Sequence, residues 1–440
     1  MTSAPARHRA SADARRDFAL LWGAQTVSAC GTAVSSIALP LVALTVLDAT
    51  TFQVGLVTAA GYVAWLVFGL PSGAQVDRVR RRPLILATDA ARGLALLSIP
   101  LAWAFGTLSL AHLIIVALLV GTASVYFDVA FQAYLPSVIA AADLLRANSR
   151  LQGSESVAQV GGPALGGILI QALGAPVALL ADVGSYAVSV ACVLGIRRDE
   201  QPPPRISAAG LPSQIMAGLR FVRRHPVIGP LTLSAAVLNF AGAALEALVV
   251  VFLVRTVGVA PGMAGVLLGG LGLGGIAGAA SVGWLSARLG SVGALFLAAT
   301  AGPLLVLLVP LTVGGPGLLF FAAGTAGISA STVVFSVLAR SYRQAVTPPQ
   351  LLGRVTATVR FVSWGVLPVG AVIAGALGEE LGNREALWVV GAVFLLAPVP
   401  ILLSPLRHTR TLTAESRPIG PARHRTPPPN GKPVPDLEEV

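Results

Sequence analysis

Apolar runs of about twenty residues recur along this chain, separated by short loops that carry arginine, and no other feature constrains the fold as tightly. A bilayer-spanning helix needs ~20 mostly apolar residues. In hydrocarbon each backbone N–H and C=O must be satisfied within the structure, which leaves helices or closed barrels. The runs lack strict alternation, so they read as helices. Hydrophobic residues make up 55% of the 440 and charged residues 11%, against roughly 25% charge in soluble chains. A water-soluble surface is therefore excluded. The net charge of +11 would suit a nucleic-acid partner on a soluble domain, but here it sits in loops between spans. The partner it implies is the lipid bilayer, not nucleic acid.

Twelve spans are expected, at about 18–46, 52–74, 84–105, 109–134, 152–173, 176–196, 227–253, 262–286, 291–313, 316–339, 354–378 and 384–404. Loops on one side hold Arg78, Arg80, Arg81, Arg82, Arg146, Arg150, the 197–224 cluster, Arg288, Arg340 and Arg343; the other side has only Arg255 and Arg384. This alternation is the positive-inside pattern, and it places both termini in the cytoplasm of a multi-pass cell-membrane protein. Residues 1–17 are expected as a cytoplasmic segment. The apolar run that follows is too long for a signal-peptide core, so it is expected to stay as the first span. Cys30 and Cys192 lie inside apolar spans, and the five histidines are scattered. No disulfide framework, metal site or cofactor is expected. No nucleophile–base arrangement is visible, so an enzyme is not expected.

The loop 197–226 divides the chain into six-span halves, 18–196 and 227–404. It opens with Pro202-Pro203-Pro204, a semi-rigid spacer. Its segment 213–225 sets Ile215, Leu219 and Val222 opposite Arg220, Arg223 and Arg224, as in a helix lying on a membrane face. The tail 405–440 is rich in Pro and Arg, ends with Asp436, Glu438 and Glu439, and is expected to be disordered. Two internal echoes support a duplication. Gly73, Asp77 and Arg78 line up with Gly283, Ala287 and Arg288 at an offset of 210, and 143–175 resembles 350–378 at an offset of 207. Two helical halves with a midplane site between them are a transporter architecture.

The loop Gly73…Asp77-Arg78…Arg81-Arg82 resembles the signature that follows the second span in the major facilitator superfamily, with Gln75 where Leu is usual and Arg80 where Gly is usual. The fifth span carries Gly162-Pro163-Ala164-Leu165-Gly166-Gly167, which matches a Gly-Pro-x-x-Gly-Gly signature associated with exporters. The opening Phe18…Leu21-Trp22…Gln25…Ser28…Gly31 and the segment Arg146-Ala147-Asn148-Ser149 look like the subgroup of enterobactin exporters and macrolide efflux pumps. The resemblance covers about 18–404. It implies an all-α polytopic fold of twelve helices in two six-helix halves. It also implies that Asp77 closes an inner gate against the start of the eleventh helix, around Gly353–Thr356. The Gly-Pro stretch would seal the seam between halves, and the seventh helix would line the cavity. Many proton-driven relatives have an Arg inside the fourth span; 109–134 has none.

Carboxylates in hydrocarbon cost ~2.5–3.5 kcal/mol on insertion scales, so each needs a partner, a cavity or a proton. Asp89 and Arg92, three apart, can pair on one helix face. Asp128 reads as a salt-bridge partner of Arg78 or Arg81, with proton carriage as the other reading. Asp182 reads as a satisfied group near the membrane interface. Glu155 is left open between titration and structure. Glu246 stands alone among Ala244, Leu245, Ala247 and Leu248 and is the leading proton-coupling candidate, ahead of Glu155 and Asp128. Gln25, Asn239 and Arg360 are polar groups that could line the cavity; Tyr62, Trp65, Phe240, Phe361 and Trp364 could wall it. The expected function is export of a small hydrophobic natural product or drug by proton antiport, with a monomer as the working unit. Import of a metabolite or siderophore, and a non-transporting membrane sensor or assembly factor, are the alternatives.

Overall fold

The computed structural model describes residues 4–69, 71–76, 78–139, 144–197, 211–347 and 349–408. Eleven of its helical stretches are long and apolar enough to cross a membrane. One of them, Pro261–Leu311, is two spans. At Gly290 the backbone turns to φ +75°, a left-handed region that glycine enters without a Cβ penalty. The chain reverses there with almost no loop, so 261–289 and 291–311 cross separately and the described residues make twelve crossings.

The remaining spans are Arg15–Thr45, Thr51–Phe68, Arg81–Ala104, Leu110–Leu135, Gly153–Leu173, Ala175–Leu194, Ile228–Val257, Gly315–Gln344, Arg354–Glu380 and Asn383–Leu402. Several differ from the expected limits for local reasons. The first helix begins at Ala4, because 4–16 is rich in Ala and Arg, both strong helix formers; the expected segment 1–17 is thus largely helical. The eleventh span is interrupted between Trp364 and Leu367, just ahead of Pro368, which has no N–H to donate to the Trp364 carbonyl oxygen one turn back. The echo at 283–288 lies inside the eighth helix rather than in a loop. It has a single arginine and neither the Asp nor the Pro of 72–83, so nothing breaks the helix.

Two seams join the first six spans to the last six. Along one, the second and eleventh spans approach backbone to backbone: a Cβ on Gly55 would lie 2.9 Å from the Ala371 carbonyl oxygen and 3.0 Å from Gly375 Cα. Along the other, a Cβ on Gly167 of the fifth span would lie 2.6 Å from the Gly262 carbonyl oxygen and 3.0 Å from Gly265 Cα of the eighth. Small residues permit this approach. Both seams sit toward the arginine-poor face. There the Phe52 N–H also donates to Glu379 Oε2 (3.0 Å), Thr51 Oγ1 lies 3.1 Å from Asn383 Oδ1, and Arg255 pairs with Asp48 at 2.9 Å. Between them these contacts close the seam between the halves on the arginine-poor face.

The linker contributes a helix, Leu211–Arg224, whose packed face is clamped to the second half. Gly218 meets the eleventh span so closely that a Cβ would fall 2.7 Å from the Arg354 carbonyl oxygen. Val222 is buried, while Arg220, Arg223 and Arg224 are exposed. His225 Nδ1 accepts the N–H groups of Val227 and Ile228, each at 3.2 Å. This caps the seventh span, and burial pushes the imidazole below its ordinary value.

Candidate functional site

A polar contact joins the halves near mid-membrane. Tyr62 Oη donates to Glu246 Oε2 at 2.5 Å, and the carboxylate keeps an exposed face. Tyr62 stands 11 residues in from Thr51 and Glu246 stands 11 residues before Val257. At 1.5 Å per residue each is about 16 Å from the arginine-poor end of its span, near the centre of a ~30 Å hydrocarbon layer. One turn closer to the arginine-rich side, Trp65 and Trp364 meet edge to face with centroids 4.7 Å apart. Arg360 lies 5.4 Å from the Trp364 ring, a cation–π distance. Phe361 beside it is 37% exposed. A carboxylate and a phenol thus meet where the halves touch, with an aromatic pair and a guanidinium one turn away. Such a site can exchange a proton and can accept an amphiphilic molecule.

The other expected residues fall into two groups. Asn239 Nδ2 donates to the Ser363 carbonyl oxygen at 2.9 Å, which ties the seventh span to the eleventh. Gln25 keeps a buried Oε1 with no hydrogen-bond partner. Asp128 differs from expectation: its charged neighbours are Arg92, Glu155 and Arg360, not Arg78 or Arg81. Arg78 is exposed. Arg82 instead caps the end of the sixth span, donating to the carbonyl oxygens of Val193 (3.3 Å) and Leu194 (2.9 Å). Glu155 is exposed on the fifth span and acts electrostatically on Asp128. In the loop signature, Gly73 has open space around it, and Asp77 lies outside the described residues. The exporter-type stretch has two faces. Gly162 and Gly166 pack against Ala33 and Val34 of the first span, while Gly167 and the Pro163 carbonyl meet Gly265 across the seam.

Sequence reasoning missed the extent of one network. Arg92 bonds Asp89 and lies between the Phe127 and Tyr186 rings at 4.0 and 4.5 Å. Ser189 Oγ donates to Asp89 at 2.6 Å. Asp182, expected near the interface, is fully buried; it accepts from Ser35 Oγ at 2.6 Å and Ser185 Oγ at 2.9 Å. These contacts fasten the first, third, fourth and sixth spans into one unit. The only sequence signal was three carboxylates and one arginine inside apolar runs. Arg92→Met should lower the stability of the purified protein by ~3–5 kcal/mol, because it leaves Asp89 buried without its counter-charge. Thermal unfolding of the variant checks this; Arg92→Met with Asp89→Leu should recover part of the loss.

Similar proteins agree with this architecture. A variant of the nucleoside transporter NupG superposes with a TM-score of 0.74 at 9% identity, covering 88% of this chain and 99% of that one. A bacterial homologue of the iron transporter ferroportin, solved in an inward-facing state, gives 0.72 at 17% identity, covering 88% and 98%. At these identities the likeness is one of fold. Among sequences, the multidrug efflux pump Tap of Mycolicibacterium fortuitum is 25% identical over 402 residues, covering 87% of this chain and 92% of that protein. The uncharacterized MFS-type transporter YvqJ of Bacillus subtilis is 26% identical over 329 residues, covering 72% and 75%. Residues 10–425 match the transmembrane secretion effector family, and the chain belongs to that family of major facilitator transporters.

Proposed function

We propose that this protein exports small amphiphilic molecules from the cytoplasm across the cell membrane in exchange for protons. The observation that carries the reading is the Tyr62–Glu246 bond. It joins a carboxylate to a phenol near mid-membrane where the halves meet, inward of the seam closed on the arginine-poor face, which supports a role for Glu246 in proton exchange. Arginine counts favour a cytoplasmic position for the arginine-rich face and for both termini. Substrate would therefore enter from the cytoplasm or the adjoining leaflet. Rocking of the halves about the two glycine seams would then offer Glu246 to the far side, where a proton loads and substrate leaves. The driving force is adequate: one charge gains ~2.3 kcal/mol per 100 mV, and each pH unit adds ~1.4 kcal/mol. Similarity to Tap, a multidrug efflux pump by name, favours export over import of a metabolite. A carboxylate at mid-membrane where the halves meet favours transport over a sensor role. One copy of the chain contains the whole site, so a monomer suffices.

The test is transport in proteoliposomes with an imposed pH gradient and a panel of lipophilic dyes. Dye movement opposite to the proton gradient, abolished by an uncoupler, is the expected result. Movement only down the dye's own gradient, unaffected by pH, would remove proton exchange.

A further inference from the structure

On the arginine-poor face the end of the eleventh span lies against the beginning of the second. Gly375 and Gly378 let the two helices close up: a Cβ on Gly375 would fall 3.1 Å from Phe52 Cα, and one on Gly378 would fall 2.6 Å from Thr51 Cγ2. This approach carries the next residue, Glu379, to the first turn of a helix in the other half. The first N–H groups of any helix have no partner within it. Here the Gln53 N–H is taken by its own cap, Thr50 Oγ1, at 3.3 Å. The Phe52 N–H is taken from across the seam, by Glu379 Oε2 at 3.0 Å. A carboxylate of one half thus sits at the positive end of a helix of the other, where a negative charge is stabilised.

The other charged groups on this face are engaged elsewhere or lie beside Glu379. Among the described residues they are Asp48, Arg255, Glu380, Arg384 and Glu385. Arg255 pairs with Asp48 at 2.9 Å, and Asp48 is 98% exposed; an exposed ion pair of that kind holds little. Arg384 donates to the Pro310 and Thr312 carbonyl oxygens at 2.5 and 3.0 Å. His112, near the same face, bonds Ser98 Oγ at 2.8 Å. Glu246, the acid of the adjoining seventh span, is at mid-membrane with Tyr62. Glu379 itself is exposed, so a proton from the arginine-poor side reaches it without entering the membrane.

We propose that Glu379 is a proton-binding site that latches the arginine-poor face: as a carboxylate it holds the second helix through the Phe52 N–H, and on taking a proton from that side it releases it. The bound proton cancels the charge that the helix end attracts and turns a charge-assisted bond into a weaker neutral one. The seam then keeps its glycine contacts and neutral bonds, and the halves separate more readily on that face. A proton arriving there promotes opening before any group at mid-membrane is reached. This latch acts whatever the substrate and whichever residue carries the proton across.

The experiment uses the full chain in nanodiscs without substrate. Cys30 and Cys192 are replaced by Ser, and spin labels are placed at 105 and 381, exposed positions at the arginine-poor ends of the third and eleventh spans. Pulsed electron paramagnetic resonance reads the ratio of open to shut molecules. Acidification from about pH 7.5 to about pH 4.5, across the carboxylate range, should raise that ratio in the labelled parent. The rise should be roughly fivefold, the worth of one charge at a helix end. Glu379→Gln keeps the length of the side chain and an acceptor oxygen, so a role in packing alone would survive it. That variant should show the raised ratio at the higher pH and no further response to acid. Asp48→Asn and Glu246→Gln should respond as the parent does. Absence of a response in the parent, or an unraised ratio or retained response in Glu379→Gln, would overturn the latch. Loss of the response in Asp48→Asn or Glu246→Gln would overturn it too, by giving the proton to the ion pair or to the mid-membrane site. Failure of the latch leaves the export reading untouched, because no transport is measured.

Discussion

Glu246→Gln should bind substrate and fail to export it against a gradient. The amide retains the size of the side chain and an oxygen that accepts from Tyr62 Oη, so the contact now at 2.5 Å weakens from a charge-assisted to a neutral bond. The difference is on the order of 1 kcal/mol, too little to dismantle the seam. Proton loading, however, becomes impossible. With an imposed gradient of two pH units, a one-proton exchanger can sustain about a hundredfold concentration ratio, tenfold per unit. The variant should sustain none. The measurements are dye accumulation in proteoliposomes beside dye binding in detergent. Retained uphill accumulation would move the proton to Asp128 or Glu155. Loss of binding with an intact thermal midpoint would make Glu246 a substrate ligand.

Gly167→Leu should hold the protein open on the face that is now shut. A single Cβ there would already intrude on the Gly262 carbonyl and Gly265 Cα across the seam, both backbone atoms that cannot turn aside. Overpacking of this kind costs ~1–3 kcal/mol. Charged to one of two states, that shifts their ratio by roughly 5- to 150-fold, at 1.4 kcal/mol per decade. Spin labels at 171 and 259, at the arginine-poor ends of the fifth and seventh spans, should move to longer separations, and export should fall to background. Gly161→Leu is the control, since nothing lies within 4 Å of a Cβ at that position. An unchanged separation with normal export would show that the seam is elsewhere.

What the sequence disclosed follows from what is local. Twelve crossings could be counted because a span is a continuous run about as long as the bilayer is thick. The Asp89–Arg92 pair could be read because three residues apart is one helix face. Glu246 stood out because nothing polar surrounds it in the chain. Its partner Tyr62 could not be found, since the two are 184 positions apart and only the packing of halves brings them level. The misassigned partner of Asp128 has the same origin. Sequence places it near Arg78 and Arg81 in depth, but the rotation of the fourth helix decides that it faces Arg92 and Arg360 instead. The turn at Gly290 was expected as a loop because a reversal made by one glycine leaves no polar segment to mark it.

The clamp on the linker helix has a mechanical consequence. Gly218 and His225 make Leu211–Arg224 a passenger of the second half. Any displacement of that half therefore carries Arg220, Arg223 and Arg224 with it, so the basic face of the linker helix is a fixed attachment of one half to the membrane surface rather than a hinge between the two.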